Sequence, residues 1–289
     1  MDTLQINVAR LKEFQREVFR LDPKIRLRSA DQAVNFVNQH QIVAFWPLKD
    51  IPMPSLWTAA AGDRPVADEH DDPGHVTWGW KDAMLGQRKW YYARILCKRN
   101  FMVALDSLPY LYALSNNYGD PAEDHQIAYE EGKLSLPAKQ LYEALLENGP
   151  LDTLTLKQIC HLSSKAGDME FNKAVDTLQM ELKVLPVGIA PVGSWKYAFI
   201  YDLVPHHFPE LIDLARPIVE TQARDHLLLG YIRSVGAARK AHATKLFRWD
   251  RKALEHSLNR LEEDDRIKSK VFSTDGKDSD WICLPEFLL

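Results

Sequence analysis

The chain has 289 residues, of which 46% are hydrophobic, enough for two or three compact domains with apolar cores. Its formal net charge is -4, so the molecule as a whole does not attract nucleic acid, and any nucleic-acid site must be a local basic patch. The three cysteines lack zinc-site spacing, and no apolar run reaches the roughly 18 residues of a membrane helix. We therefore expect a cytoplasmic protein with reduced thiols, no membrane partner and no metal site.

The first third of the chain, 1–120, is predicted to be a helical or winged-helix-like domain, rich in aromatic residues. Apolar residues at helical spacing indicate an amphipathic helix from Asp2 to Leu21. Ser29 is suited to cap a second helix, which ends near Gln39, and a small helix follows from Ser55 to Ala61. The acidic loop that comes next, around Asp68 to His75, is interpreted as solvated and not as a metal site.

Aromatic and basic residues are interleaved from Trp78 to Arg99. Two interpretations stay open for this stretch. The rings could stack an unpaired base while basic groups hold phosphate, or they could be core and interface residues whose polar tips find partners. Under the first interpretation, Lys81, Arg88 and Lys89 are the members expected to be exposed and to contact DNA.

The middle of the chain, 133–203, has the clearest pattern. It predicts three helices and then two strands joined by a short turn that contains glycine. This is the order of a winged helix, a relative of the helix-turn-helix. The predicted helices are Ser135 to Asn148, Thr153 to Cys160 and one with the apolar stripe Phe171, Ala174, Val175, Leu178 and Leu182; the strands are Val184 to Ile189 and Trp195 to Tyr201.

The C-terminal part, 218–289, repeats this order after a linker from Val204 to Pro217. The fold class is therefore mainly α with small β-hairpins (α+β), arranged as tandem winged-helix domains. The predicted elements are helices from Thr221 to Val235, from Ala237 to Phe247 and after the cap Asp250, followed by strands from Arg266 to Phe272 and from Trp281 to Leu284 around a longer wing.

Positive charge distinguishes the C-terminal unit from the middle one. In the middle unit, lysines on the second and third helices are balanced by aspartates and glutamates. Affinity for duplex DNA comes largely from neutralising phosphates, so the C-terminal unit is the better candidate for a groove binder. Its candidate DNA-binding residues are Arg239, Lys240, Lys245, Arg248, Arg251, Lys252, Lys268 and Lys270.

Several motifs resemble those of winged-helix proteins related to the AlkZ/YcaQ DNA glycosylases, above all the AlkZ-related group. The resemblance implies tandem winged-helix domains that cradle double-stranded DNA, no cofactor, and excision of alkylated or crosslinked bases. The motifs are 45–49 (Phe-Trp-Pro-Leu-Lys), 54–57 (Pro-Ser-Leu-Trp), 78–82 (Trp-Gly-Trp-Lys-Asp), 105–110 (Leu-Asp-Ser-Leu-Pro-Tyr), 183–188 (Lys-Val-Leu-Pro-Val-Gly) and 197–202 (Tyr-Ala-Phe-Ile-Tyr-Asp).

The same resemblance implies a Gln-x-Gln or Gln-x-Asp pair just after the second helix, which positions and activates the hydrolytic water. Gln39 and Gln41 have this spacing, and alternate residues of an extended segment would point to one side. A second register places the pair on Ala44 and Trp46, which cannot activate water. The second register is favoured, so catalysis is weakened or lost under this interpretation.

Two function hypotheses follow from these observations. The first is a DNA-binding protein related to glycosylases that excise damaged bases. The alternative is a winged-helix module for protein interaction or regulation, which the net acidity fits. Glycine-rich phosphate loops and hydrolase motifs are absent from the sequence, so other common enzyme classes are not indicated.

Overall fold

The computed structural model describes residues 4–117, 119–272 and 280–289. The chain forms a mixed helical and stranded fold with three small antiparallel sheets. Within the described ranges, none of the helices combines the length and apolarity that crossing a bilayer would require.

The first unit begins with a helix that is shorter than predicted. Asn7 caps this helix by accepting a hydrogen bond from Arg10 N, and Ser29 caps the next one through Gln32 N, as expected. The elements are α1 (Val8–Val18), α2 (Ala30–His40), β1 (Ile42–Ala44), α3 (Leu56–Ala61), α4 (Val76–Met84), β2 (Tyr91–Arg94), β3 (Asn100–Val103) and α5 (Leu108–Tyr112).

The middle unit matches its sequence pattern closely. Each of its three main helices starts at a polar cap: Ser135, Asp152 and Ser164 accept hydrogen bonds from backbone amides of the first turn. The elements are α6 (Asp124–Glu130), α7 (Leu136–Asn148), β4 (Leu151–Asp152), α8 (Thr153–Ile159), α9 (Lys165–Met180), β5 (Val184–Ala190) and β6 (Ala198–Leu203).

The segment from Val204 to Pro217 is not an extended linker. It holds two short helices, α10 (Val204–His207) and α11 (Leu211–Ala215), and α11 packs against α5. Phe208 and Leu211 are buried in the largest core cluster. The prolines that suggested a linker stand at helix starts or between helices, where a missing N–H costs little.

The C-terminal unit has one difference from its prediction. Residues 237–239 form a strand and not the first turn of a helix, because their backbone pairs with β9. The elements are α12 (Glu220–Val235), β7 (Ala237–Arg239), α13 (Lys240–Phe247), α14 (Arg251–Glu263), β8 (Lys268–Val271) and β9 (Trp281–Cys283). The predicted wing falls mainly on 273–279, which lies outside the described residues.

All three units share one order of elements: helix, strand, two helices, then two strands. In each sheet the last strand lies between the other two, in the orders β1-β3-β2, β4-β6-β5 and β7-β9-β8. For the second and third units the sequence pattern predicted the three helices and the last two strands, but not the short strands β4 and β7. The first unit was predicted to be winged-helix-like, but its strands were not assigned, because β1 has three residues and a proline-rich loop separates it from α3.

Helix α1 packs against the C-terminal unit, although the predicted domain 1–120 places it in the first. Ile6 N donates to Phe272 O at 3.0 Å and Asn7 N donates to Phe287 O at 2.7 Å. Phe14 makes an edge contact with the ring of Phe287. The two ends of the described chain are therefore held together in one core.

Candidate nucleic-acid interface

The turn between α13 and α14 carries exposed positive charge. Arg248, Arg251 and Lys252 are exposed there, and no ion pair within the described residues involves them. Asp250 is engaged as the cap of α14, accepting from Ala253 N at 2.9 Å, and this bond holds the pKa of its carboxyl below the ordinary value. The cations consequently surround a helix N-terminus, which itself favours anions.

Four of the other five predicted cations of this unit already have a partner among the described residues. Lys240 lies 3.1 Å from a carboxylate oxygen of Glu255, and Lys245 lies 2.8 Å from Asp50. The remaining three are placed as follows: Arg239 over the ring of Trp281, Lys268 against Asp265, and Lys270 exposed on β8. The pair of Lys245 and Asp50 is exposed, and exposed ion pairs are weak, so a phosphate could replace the carboxylate of Asp50 at small cost.

The hairpin of the first unit adds two cations that the sequence did not single out. Cys97 and Lys98 occupy the turn between β2 and β3 with φ values of 51° and 55°. The thiol of Cys97 donates to Lys245 O at 3.2 Å, which joins the turn to α13. Burial raises the pKa of this thiol, while Arg248, Lys245 and Arg99 nearby act to lower it. The exposed side chains of Lys98 and Arg99 thus lie on the same side of the molecule as the α13–α14 turn.

This position was missed for a local reason. Residues with positive φ in a tight hairpin turn are usually glycine, asparagine or aspartate. Neither Cys97 nor Lys98 belongs to that set, so the turn gave no signal in the sequence.

Lys81 is not exposed, and this expectation was wrong. Only 3% of the residue is accessible. Its ammonium lies 2.5 Å from Asp82 Oδ1 and donates to the hydroxyl of Tyr197 at 2.9 Å. The ring of Phe199 is 4.6 Å from the ammonium, and burial lowers the pKa of the lysine. Lys81 therefore joins the first unit to the middle one and presents no charge to phosphates.

The two neighbouring cations of the aromatic-basic stretch differ from each other. Arg88 pairs with Glu210 and packs on the ring of Phe208. Lys89 is exposed, and no ion pair of the described residues includes it. Of the three cations predicted here, Lys89 is the one whose charge is free to meet a phosphate.

Gln39 and Gln41 do not lie on an extended segment. Gln39 is exposed in the last turn of α2, and Gln41 follows the helix with a φ of 64°. The side chain of Gln41 lies against Gly230 of α12, so closely that a Cβ there would be 2.1 Å from Oε1. Residues two apart at a helix end do not face each other, so the two amides are not directed at one point.

The alternative position of the catalytic pair, on Ala44 and Trp46, also lacks suitable polar groups. Ala44 is fully buried at the end of β1, and Trp46 is half-buried in a cluster of aromatic rings. Its centroid is 5.3 Å from that of Trp57, and the stacked pair of His75 and Trp78 lies next to it. In the aromatic-basic stretch itself, Trp78 is 37% exposed but Trp80, Trp90, Tyr91 and Tyr92 are buried, which favours the interpretation as core and interface residues.

His40, between the two glutamines, is buried and neutral. Burial, with a smaller contribution from Arg20, lowers its pKa to about 4. Its carbonyl accepts a hydrogen bond from Ser234 Oγ of α12 at 2.9 Å. Across the described parts of the chain, no cluster of three or more histidine, cysteine or acidic residues could hold a metal ion.

A family model described as AlkZ related matches residues 27–248 of the chain. The chain belongs to the AlkZ-related family. The resemblance that the sequence motifs indicated is therefore confirmed. No curated protein sequence matches this AlkZ-related protein.

Among solved structures, the AlkZ-related protein is similar to the Streptomyces sahachiroi DNA glycosylase AlkZ. The two share 12% sequence identity with a TM-score of 0.57, over 98% of this chain and 71% of that one. At this identity the likeness shows a common fold. This AlkZ-related protein is thus a structural relative of a DNA glycosylase.

Proposed function

We propose that this AlkZ-related protein binds duplex DNA through three winged-helix units. The recurring order of helix, strand, two helices and two strands supports the winged-helix assignment for each unit. In a helix-turn-helix protein the N-terminal residues of the second helix of the motif meet the DNA groove. In the C-terminal unit that position is the start of α14, where Arg251 and Lys252 are exposed.

The observation that carries the proposal is the meeting of unpaired cations from two units. The α13–α14 turn supplies Arg248, Arg251 and Lys252, and the docked hairpin of the first unit supplies Lys98 and Arg99. The overall charge of -4 makes such a local concentration informative, because the molecule as a whole has an excess of negative charge.

The proposal includes loss or weakening of base excision. A water-activating pair needs two polar groups within hydrogen-bond reach of one water. Gln39 and Gln41 diverge from the end of α2, and Ala44 and Trp46 offer no suitable groups. Both registers therefore support binding without efficient hydrolysis.

The test is a titration of a labelled duplex with the protein across a range of salt concentrations. Each neutralised phosphate contributes a slope of about -0.9 in a plot of log K against log salt. We expect Arg251→Gln/Lys252→Gln to weaken binding and to lower the magnitude of this negative slope by about 2. The control is Arg216→Gln/Lys133→Gln, which removes the same charge from two cations that pair with Asp213 and Glu131. Absence of salt-dependent binding by the wild type would overturn the proposal.

The catalytic part needs a separate assay. Incubation with alkylated and crosslinked duplexes should release no base in excess of a heat-inactivated sample. If bases are released and Gln39→Ala or Gln41→Ala abolishes their release without loss of duplex affinity, the chain retains the family's chemistry and the loss proposed above is wrong.

Two exposed apolar residues favour the alternative of a protein-docking module. Trp195, in the turn between β5 and β6, is 90% exposed, and Met169 on α9 is 74% exposed. Both belong to the middle unit, whose helices carry the acidic residues. If the protein does not bind duplex DNA at low salt, protein docking at this surface becomes the favoured function.

A further inference from the structure

A basic groove lies at the junction of α1 and α2, far along the chain from the C-terminal cations. It has a volume of about 360 Å³. Basic side chains from the α1–α2 connection line one side of it: Arg20, Lys24, Arg26 and Arg28. Carboxamides from α2 line the other, namely Gln32, Asn35 and Gln39, and no carboxylate is among the lining residues.

The positive charge of this groove is not neutralised within the protein. Ion pairs in the described part of the chain include none of its four basic residues. The nearest acid in sequence, Asp22, uses its carboxylate to accept from Lys24 N at 2.9 Å, as a cap of the following turn. A dense group of cations without counter-ions is unfavourable unless an anion binds, so the groove is suited to a polyanion.

Arg26 is held in place beneath the groove. Its guanidinium packs against Gly62 at the end of α3, where an added Cβ would be 2.2 Å from Nη2. The Nε of Arg26 is buried without a hydrogen-bond partner. The guanidinium therefore adds positive charge to the groove at a position set by its packing against the end of α3.

The carboxamides follow one face of α2. Gln32, Asn35 and Gln39 are exposed at spacings of three and four residues, above the buried ring of Phe36. Carboxamide side chains add hydrogen bonds to phosphate and sugar oxygens in protein–DNA contacts. A row of amides beside a row of cations fits a nucleic-acid strand, whose backbone presents phosphate and sugar oxygens at regular intervals.

We propose that the groove between the α1–α2 connection and α2 binds the phosphate backbone of the same duplex, as a second contact remote from α14. The inference rests on the duplex binding proposed above. The shared chemistry is the phosphate oxyanion, and DNA backbone and free polyphosphate are its two sources.

The test removes charge from the groove and leaves Arg26 unchanged. In Lys24→Gln/Arg28→Gln both altered side chains are exposed, and thermal melts check that the fold is kept. We expect the magnitude of the salt slope for the labelled duplex to fall by about 2, with the slope of Arg216→Gln/Lys133→Gln unchanged. A photo-crosslinking residue at Asn35 should capture the duplex in the wild-type background.

The outcomes separate the two proposals. An unchanged slope and no crosslink, while Arg251→Gln/Lys252→Gln still lowers the slope, would overturn the groove contact and leave the proposed function standing. No salt-dependent binding by any variant would overturn both. In a third experiment, inorganic tripolyphosphate is added to the complex of protein and duplex. It should weaken duplex binding only as much as other salts of the same ionic strength do. Saturable binding of tripolyphosphate at the groove that leaves duplex affinity unaffected would assign the site to a free polyphosphate and overturn the DNA contact.

Discussion

Replacing Asp82 with asparagine should show how much the contact between the first and middle units contributes to the free energy of unfolding. Asp82 Oδ1 is the counter-ion of the buried Lys81 ammonium, at 2.5 Å, and also accepts from the hydroxyl of Tyr197 at 2.9 Å. The substitution leaves the Lys81 ammonium among aromatic rings, with neutral hydrogen-bond acceptors and without its counter-ion. We expect the free energy of unfolding to fall by about 2 to 3 kcal/mol.

The magnitude follows from the burial of each partner. Removing one member of a fully buried ion pair costs about 3 to 5 kcal/mol, because the other charge stays desolvated. The side chain of Lys81 is 4% exposed but that of Asp82 is 24% exposed, so water compensates in part and the lower end applies. Tyr197→Phe removes the hydrogen bond accepted from Lys81 and the one donated to Asp82 but keeps the ion pair, so it should cost about 2 kcal/mol.

Urea unfolding of a double-mutant cycle measures the effect. Lys81→Met keeps the length of the side chain and removes the charge, so Lys81→Met/Asp82→Asn should be more stable than Asp82→Asn alone by about 1 kcal/mol or more. If Asp82→Asn unfolds within about 0.5 kcal/mol of the wild type, or if the two substitutions add, the ammonium is solvated and the reasoning from its burial is wrong.

Three further predictions concern other contacts. The pKa of His40 is lowered to about 4, so below pH 6.5 the unfolded chain binds more protons than the folded one. The free energy of unfolding should therefore fall by up to about 3 kcal/mol as the pH drops from 6.5 to 4. In urea titrations, His40→Leu should flatten this pH dependence. Gly230→Ala should leave thermal stability nearly unchanged in the wild type, where Gln41 must move, and raise it by about 1 kcal/mol in the Gln41→Ala background; equal effects in both would contradict the close contact. Arg88→Gln should cost less than about 1 kcal/mol by urea unfolding, because its ion pair with Glu210 is exposed.

Local patterns predicted most of the helices and strands. The caps Ser29, Ser135 and Asp250 mark helix starts where expected, because a side chain that accepts from the first turn is a local signal. The strand at 237–239 was read as helix because its pairing partner, β9, lies more than forty residues later. Non-local hydrogen bonds override local propensity there.

The candidate interface was predictable only in part. Arg251 and Lys252 follow a recognisable cap, so their position at a helix start could be read from the sequence. The burial of Lys81 could not, because the cage that holds it comes from Tyr197 and Phe199 on another unit. The basic groove depends on how the α1–α2 connection folds back on α2, which no spacing rule encodes.

The union of α1 with the C-terminal unit constrains how the chain can fold during synthesis. Gln15 donates its side-chain amide to Val235 O across 220 positions of sequence, and Ile6 pairs with Phe272 still later. Contacts this distant carry a high closure cost and form late. During synthesis α1 must therefore wait, with its apolar face open, until its partners around Val235, Phe272 and Phe287 have emerged. A chaperone that binds amphipathic helices has its longest opportunity at this segment.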